Sequence, residues 1–326
     1  MKKRLSLVLV VLMLLSTAMM MVSCGGRMAL AFDSYDNGTC SVEMKGIVKL
    51  TGVTGNLKIP ETAPNGDRVV SIRGSAFYNS FLLKSVTIPD TVTTIDRMAF
   101  ADCTSLTSVT IPEGVTEIWG MAFDGCTSLT SISIPNSVTF IGSNAFSDCP
   151  ESIFSTYDDM LYIGNEQNPY LVLLEPVDDA KSTYSIHENT KVIAESAFIR
   201  CDQMSEITIP ESVTYICNGA FAECESLTKV SIESSDTHIG YMAFADCDAL
   251  KNLDLGEGVT SIGRQAFWSC SSLTSIKIPN SVTVIESDAF FGCDNITDVY
   301  FSGTEEEWET LNKNAHISSR ATIHYE

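Results

Sequence analysis

Histidine is scarce in this chain, which limits the chemistry that the protein can perform. The only histidines are His187, His238, His316 and His324. None of them has metal-ligand spacing with a partner, and the sequence lacks GxSxG, GxGxxG and HExxH motifs, a P-loop and any CxxC pair. Neighbouring carboxylates such as Asp158 and Asp159 are more typical of a solvated surface than of a catalytic pair. We therefore predict that the protein is not an enzyme and that it holds no cofactor and no metal.

Basic residues are also few, with 20 Lys and Arg against 41 Asp and Glu and a net charge of −21. Three of the cations, Lys2, Lys3 and Arg4, precede an apolar run at residues 5–22, which is the layout of a secretory signal peptide. Removal of that segment leaves 17 cationic residues against 41 acidic ones, a net charge of −24. Such a surface repels nucleic acid and anionic membranes. We expect neither as a partner.

The stretch MVSCGG at residues 21–26 resembles a bacterial lipobox, in which a cysteine after a small residue is lipidated and becomes the new N-terminus. Ser23 fits this pattern, whereas Met21 departs from the usual leucine. The interpretation makes Cys24 the lipid attachment site of an exported protein anchored at the outer surface of the cell envelope, touching the membrane only through its lipid. Two alternatives stay open: secretion after cleavage behind the ALA at 29–31, and an uncleaved anchor, because about 18 apolar residues can just span a bilayer.

The dominant feature of the chain is an internal repeat of 23 residues. The pair Ala-Phe recurs at Phe77, Phe100, Phe123, Phe146, Phe198, Phe221, Phe244, Phe267 and Phe290, with one longer interval of 52 residues. Alternation in segments such as TSVTIP predicts a half-buried strand, the following proline predicts a turn, and segments such as MAFDGC predict a tight return. Units of this size must stack to bury their apolar faces. The pattern predicts a solenoid with a sheet on one side.

The unit SLTSVTIPEGVTEIWGMAFDGC resembles the BspA-like, or treponemal-type, leucine-rich repeat. The resemblance covers roughly residues 57–300 and implies a β-rich leucine-rich repeat solenoid with short strands, 3-10 or helical-turn returns, an inserted β-hairpin and caps at both ends. Trp308 is expected to cover the last open core. The expected divisions are a signal peptide (1–23), lipid attachment and N-terminal β cap (24–56), repeats (57–149), an inserted hairpin (150–181), repeats (182–295) and a C-terminal cap (296–326).

Cysteine follows the repeat phenylalanine by three residues in every unit except the first, where Ser80 stands instead. The set consists of Cys103, Cys126, Cys149, Cys201, Cys224, Cys247, Cys270 and Cys293. We predict a structural ladder of buried thiols that make weak contacts to backbone carbonyls. A disulfide staple stays open because the chain is predicted to be exported, although parallel Cβ directions on successive turns disfavour the required torsion.

The outward positions of the strands form the first candidate binding site. Before the long interval these positions are uniformly Ser and Thr, whereas after it they carry mixed charge and an aromatic ring, as recognition surfaces favour. The predicted site on the concave strand face consists of Glu206, Lys229, Asn252, Asp254, Lys277, Asp298 and Tyr300. The alternative is that Ser and Thr simply favour exposed strands and that the charges keep the protein soluble.

The long interval provides a second candidate site. It is expected to form two strands around GNEQNP, with Tyr162 and Tyr170 exposed for binding, because insertions into repeat arrays often carry function. The alternative is an internal joint whose tyrosines pack on the solenoid.

The function expected from the family resemblance is that of a cell-surface, protein-binding scaffold. Some relatives are adhesins, which implies an adhesin-like module for host extracellular proteins or bacterial surface proteins. Periodicity alone indicates only a scaffold with broad surfaces. The alternatives are a glycan-binding accessory protein and a structural protein of the cell envelope without a diffusible ligand.

Overall fold

The computed structural model describes residues 20–23, 27–44, 54–317 and 319–326. Cys24 and most of the predicted signal peptide lie outside the described residues. Among those that are described, no helix is long and apolar enough to cross a membrane.

The chain divides into two compact units. Of the described residues, 20–23, 27–44, 54–138 and 144–153 belong to the first unit, and 139–143, 154–317 and 319–326 belong to the second. Each unit is built from stacked turns with 23-residue spacing, about 11 in all, with little helix. The predicted leucine-rich repeat solenoid is therefore confirmed.

The first unit begins with an antiparallel cap and continues as two parallel sheets. We call the sheet formed by the TSVTIP-type strands the front sheet, and the sheet formed by the following short strands the return sheet. The cap strands are β1 (Met20–Ser23), β2 (Arg27–Ser34) and β3 (Thr39–Met44). The front sheet has β4 (Thr54–Lys58), β6 (Leu82–Thr87), β8 (Ser108–Thr110) and β10 (Ser131–Ser133). The return sheet continues from β3 through β5 (Arg68–Ile72), β7 (Thr94–Ile95) and β9 (Glu117–Ile118), and a 3-10 turn spans Glu151–Ile153.

The second unit also has front strands and return strands. Its return sheet contains β16 (Val192–Ile193), β18 (Tyr215–Ile216), β20 (Thr237–Ile239), β22 (Val259–Ile262) and β24 (Val284–Ile285), and β11 (Phe140–Ile141) lies outside that sheet. Its front sheet has two hydrogen-bonded parts. The first contains β15 (Thr183–Ser185), β17 (Glu206–Ile209), β19 (Lys229–Ile232) and β21 (Asn252–Asp254), and the second contains β23 (Ser275–Ile278), β25 (Asp298–Phe301) and β26 (Thr322–Tyr325). Helix α1 (Glu305–Leu311) and a 3-10 turn at Asn312–Asn314 lie between β25 and β26.

Two sheets replace the single sheet that the sequence pattern predicts. The short stretches after the proline turn also pair from one turn to the next, as in the bond from the Trp119 amide to the Ile95 carbonyl at 2.8 Å. Successive turns lie one strand spacing apart, so the backbone N–H and C=O groups of one turn find their hydrogen-bond partners in the next turn. Even strands of two residues therefore pair in a ladder.

The return after each short strand is a tight turn with residues in the left-handed region. Around Phe100 these residues are Met98 and Asp102, each with φ of 58°. A left-handed residue other than glycine costs roughly 1–2 kcal/mol. A hydrogen bond to the next turn offsets this cost, because the Phe100 amide donates to the Ala122 carbonyl at 2.8 Å.

The core of each unit contains a column of stacked phenylalanine rings. Ring centroids of Phe77 and Phe100 are 5.1 Å apart, and those of Phe221 and Phe244 are 4.9 Å apart, with the planes nearly parallel. At the C-terminal end, the ring of Trp308 on helix α1 lies 5.3 Å from that of Phe301 and is 4% exposed. Trp308 therefore lies over the last turn of the core.

The insertion contains three antiparallel strands, one more than the predicted pair. They are β12 (Ser155–Tyr157), β13 (Met160–Ile163) and β14 (Val172–Pro176). The extra turn is made by Asp158 and Asp159, whose φ angles of 47° and 58° suit a two-residue hairpin. Strand β14 then pairs in parallel with β16, so the insertion provides the first strand of the return ladder that follows it.

Candidate functional site

The front sheet of the second unit presents alternate side chains to solvent. In β17, Glu206 and Thr208 are exposed, whereas Ile207 and Ile209 are buried in the core. Because side chains of a strand alternate between its two faces, the repeated apolar residues determine which side chains face outward. Of the predicted site, Asp298 is partly buried and the other six residues are exposed.

Parallel pairing brings the predicted residues into rows that run across the strands. Glu206 lies opposite Lys229, and Lys229 lies opposite Asn252. In the last front strands, Lys277 lies opposite Tyr300. The structure therefore brings together the residues of β17, β19 and β21 in one group and those of β23 and β25 in another, with unlike side chains as neighbours.

The C-terminal group contains an ordered aromatic and charged cluster. The Tyr300 ring stacks on the imidazole of His324, with centroids 4.7 Å apart and planes 14° from parallel. Nε2 of the same imidazole lies 2.8 Å from Oδ1 of Asp298. The hydrogen bond from His324 is the main reason why the pKa of the Asp298 carboxyl lies below its usual value, and a hydrogen bond from the Thr297 side chain lowers it further. One face of Tyr300 is thus packed by protein while its side chain remains 36% exposed.

Three residues of this cluster are not among the predicted site residues. His324 lies opposite Tyr300 on β26, and its segment was assigned only to the cap. Nζ of Lys277 lies 3.2 Å from Oε1 of Glu257 and 3.9 Å from Oε2 of Glu326. The alternation of Thr322–Tyr325 in the sequence could have indicated that His324 lies on a strand. The proximity of the two glutamates to Lys277 could not be predicted, because only the fold brings them together.

The front sheet of the first unit has a different composition. Ser85, Ser108 and Ser131 lie in one row, and Thr87, Thr110 and Ser133 lie in another. These hydroxyl rows form a natural internal control for the charged rows of the second unit.

The expectation that Tyr162 is exposed is wrong. Tyr162 is fully buried, and its hydroxyl accepts a hydrogen bond from the His187 amide at 3.2 Å. Tyr170 is partly buried and stacks on the His187 imidazole with centroids 3.8 Å apart. Alternation along β13 turns Tyr162 toward the core, as the joint alternative describes. The insertion therefore offers Tyr157, which is 43% exposed, rather than Tyr162.

The ladder cysteines are free thiols, and all except the partly buried Cys149 are buried. The thiols of Cys103, Cys126 and Cys149 each lie 3.3 Å from the carbonyl oxygen of the phenylalanine 26 residues earlier. Burial raises the pKa of the Cys103 thiol to about 12. A neutral, buried thiol is a poor nucleophile. Within the described part of the chain, no group of three or more His, Cys, Asp and Glu is arranged to hold a metal ion.

The repeat geometry agrees with a family model. The BspA type leucine rich repeat region matches residues 61–167 and 185–319, in six copies. This chain belongs to the BspA-type leucine-rich repeat family. No curated protein matches the chain.

Several solved structures are similar to this BspA-type protein. A leucine-rich repeat protein from Bacteroides ovatus ATCC 8483 is 21% identical, with 91% of this chain and 98% of that chain covered and a TM-score of 0.36. A leucine rich cell surface protein from Faecalibacterium prausnitzii A2-165 is 22% identical, with 92% and 98% covered and a TM-score of 0.38. The pneumococcal vaccine antigen PcpA is 14% identical, with 95% and 100% covered and a TM-score of 0.37.

Proposed function

We propose that this BspA-type protein is an adhesin-like scaffold that binds a host extracellular protein or a bacterial surface protein through the front sheet of its second unit. The site consists of Glu206, Lys229, Asn252, Asp254, Lys277, Asp298 and Tyr300. The observation that carries the proposal is the alignment of these unlike side chains in register on outward strand positions. In the first unit, the matching positions of β6, β8 and β10 carry only hydroxyls, whereas β4 carries Asn56 and Lys58.

Tyr300 is the proposed anchor of the interface. Buried aromatic side chains dominate the binding energy of many protein interfaces. The stack on His324 orders the Tyr300 ring before binding, so less side-chain entropy is lost when a partner covers it. Lys277 lies beside it with two carboxylates in reach, which favours a partner that presents both acidic and basic groups.

Export and lipid attachment at Cys24 belong to the same proposal. The alternative cleavage behind residues 29–31 would divide β2, where Leu30, Ala31 and Phe32 are buried in the core. Cleavage before Cys24 would leave this strand whole and remove only β1. Mass spectrometry of the protein expressed in a bacterial host would test this directly, since lipidation adds a diacylglyceryl mass to a new N-terminal cysteine.

The test of binding is a screen of the purified protein against immobilised matrix proteins, bacterial surface proteins and polysaccharides. For each protein that binds, a Lys277→Ala, Tyr300→Ala double variant is compared with a Thr87→Ala, Thr110→Ala control from the first unit. We expect the first variant to weaken binding at least tenfold, because it removes the aromatic anchor and its neighbour. The control should bind as the unmodified protein does.

Four results would contradict the proposal. Equal loss in both variants, or in neither, would place the protein ligand on another surface. Binding to polysaccharides alone would favour a glycan-binding accessory protein. Absence of binding to every immobilised protein and polysaccharide would favour a structural role in the envelope.

A further inference from the structure

In the second unit, the C-terminal cap extends the front sheet and covers the core beyond the last turn. Among the described residues, it adds no strand to the return sheet. Strand β26 extends the front sheet, Trp308 covers the core, and the Ala315 carbonyl accepts the Phe290 amide at 3.0 Å. The return strand β24 pairs with β22 on one side and, within the described residues, with no strand on the other. Its outer edge is therefore left as a free strand edge.

Hydrogen bonding in the preceding turn shows what this edge lacks. There the amides of Thr283 and Glu286 donate to the carbonyls of Thr260 and Ile262, at 3.0 and 2.9 Å. The equivalent acceptors one turn later are the carbonyls of Thr283 and Ile285. No donor among the described residues reaches either of them. A strand placed here would supply the missing amides.

A groove of about 580 Å³ runs along this edge, between β24 and helix α1. Clefts of roughly 300–1,000 Å³ are typical of ligand-binding sites. Its walls include Val284, which is 46% exposed, the buried Ile285 and Phe301, and the partly buried Leu311. The groove thus combines an apolar floor with unpaired backbone groups, as sites that accept an added strand do.

The rim of the groove is acidic. The carboxylate of Glu307 is held by Thr304 in the capping box of helix α1. The neighbouring Glu306 also lines the groove, and its carboxylate forms no ion pair with any residue that the structure describes. In a chain with a net charge of −21, this rim favours a basic occupant.

We propose that the groove beside β24 binds an extended peptide segment of a partner protein, which adds as a further strand to the return sheet. One apolar side chain of the peptide packs between Val284 and Leu311, and a Lys or Arg lies near Glu306. This site lies apart from the outward face of the front sheet, although the buried Phe301 of β25 is part of its lining. It does not depend on the function proposed above.

The probe is a fluorescein-labelled synthetic peptide, acetyl-Lys-Val-Thr-Val-Ile-Thr-Lys-amide, which copies the alternation of the return strands. Fluorescence polarisation with the full chain should give a dissociation constant between about 1 μM and 1 mM. The same peptide with every backbone amide N-methylated cannot donate a backbone hydrogen bond to the strand edge. It should bind at least tenfold more weakly. Hydrogen exchange at residues 283–286 should slow only with the unmethylated peptide.

Substitutions locate the site. Val284→Asp should weaken peptide binding at least tenfold, and the fold should tolerate it because the side chain already contacts solvent. Glu306→Lys should weaken binding about three- to fivefold, the usual range for a surface ion pair, and should reverse the preference for a peptide carrying Glu in place of Lys. Glu309→Lys, on the same helix but outside the groove lining, is the matched control and should have no effect.

Several outcomes would overturn the proposal. They are no binding at about 1 mM peptide, equal binding of the N-methylated peptide, and equal binding by the Val284→Asp variant. Self-association that Val284→Asp abolishes would instead make the edge an interface between copies of this chain. A Lys277→Ala, Tyr300→Ala variant must retain peptide binding, which separates this test from that of the front sheet.

Discussion

The thiol of Cys126 donates to the carbonyl oxygen of Phe100, 26 residues earlier, with sulfur and oxygen 3.3 Å apart. The same oxygen also accepts the Cys103 amide at 3.3 Å. One carbonyl therefore links its own turn and the next. The arrangement recurs through both units, for example between Cys247 and Phe221 at 3.2 Å.

The first prediction concerns the oxidation state of the ladder. In denaturant without reductant, iodoacetamide should label most ladder cysteines, whereas the folded protein at pH 8 should react slowly because its thiols are buried and protonated. Mass spectrometry of the alkylated chain gives the count directly. Thiols that stay blocked until a reductant is added would show that the ladder is stapled by disulfides.

The same burial predicts that stability falls at high pH. Burial raises the pKa of the Cys103 and Cys149 thiols from 9.0 to about 12. Unfolded thiols lose their protons from pH 9 upward while the folded ones retain them, so the free energy of unfolding should decrease between about pH 9 and 12. Urea titrations across this range measure the slope. A Cys103→Ala variant should have a shallower slope than the unmodified protein.

Ser80 predicts a stabilising substitution. It occupies the ladder position of the first repeat and is fully buried, and its hydroxyl has no hydrogen-bond partner among the described residues. A buried, unsatisfied hydroxyl costs roughly 1–3 kcal/mol. Ser80→Ala should therefore raise the free energy of unfolding by about 1 kcal/mol, whereas Ser108→Ala on the front sheet should change it little. A loss of stability in Ser80→Ala would contradict this interpretation.

The phenylalanine column should dominate the stability of each unit. Phe244 is fully buried between Phe221 and Phe267, so Phe244→Ala should cost about 3–5 kcal/mol in denaturant unfolding. Phe291 is 47% exposed, and its ring lies tilted against that of Trp268 with centroids 4.8 Å apart. Its replacement by alanine is the control and should cost less than about 1 kcal/mol.

Tyr162 should act on stability rather than on binding. Tyr162→Phe removes the acceptor of the partly buried His187 amide, and the loss of this hydrogen bond should cost about 1 kcal/mol. Affinity for any ligand found in the binding screen should not change. A Tyr162→Phe variant of full stability with weakened binding would restore the insertion as a binding site.

Much of the fold could be predicted because the pattern repeats. Each 23-residue repeat carries the same alternation, proline turn and Ala-Phe pair, so an ambiguous strand or turn assignment in one repeat is resolved by comparison with the others. The second sheet could not be read from two-residue segments, because a strand that short is defined only by its neighbours in the stack. The extra hairpin at Asp158 and Asp159 was missed for a related reason: paired aspartates suit a tight turn and a solvated surface equally well.

The candidate site divides in the same way. The outward orientation of Lys229 and Asn252 could be predicted from the alternation of apolar and polar residues along each strand, which is a local property of the sequence. The stack of Tyr300 on His324, the contacts of Lys277 with Glu257 and Glu326, and the burial of Tyr162 depend on which segments become neighbours.

The sequence by itself determined the repeat length, the residues that face the core and the positions of the ladder cysteines, since periodic burial of apolar groups leaves little freedom in these. Only the tertiary structure decided which side chains meet across turns and which strand edge stays unpaired. Such contacts depend on how the insertion and the cap join the stack, and these segments occur once and have no repeat to reveal their role.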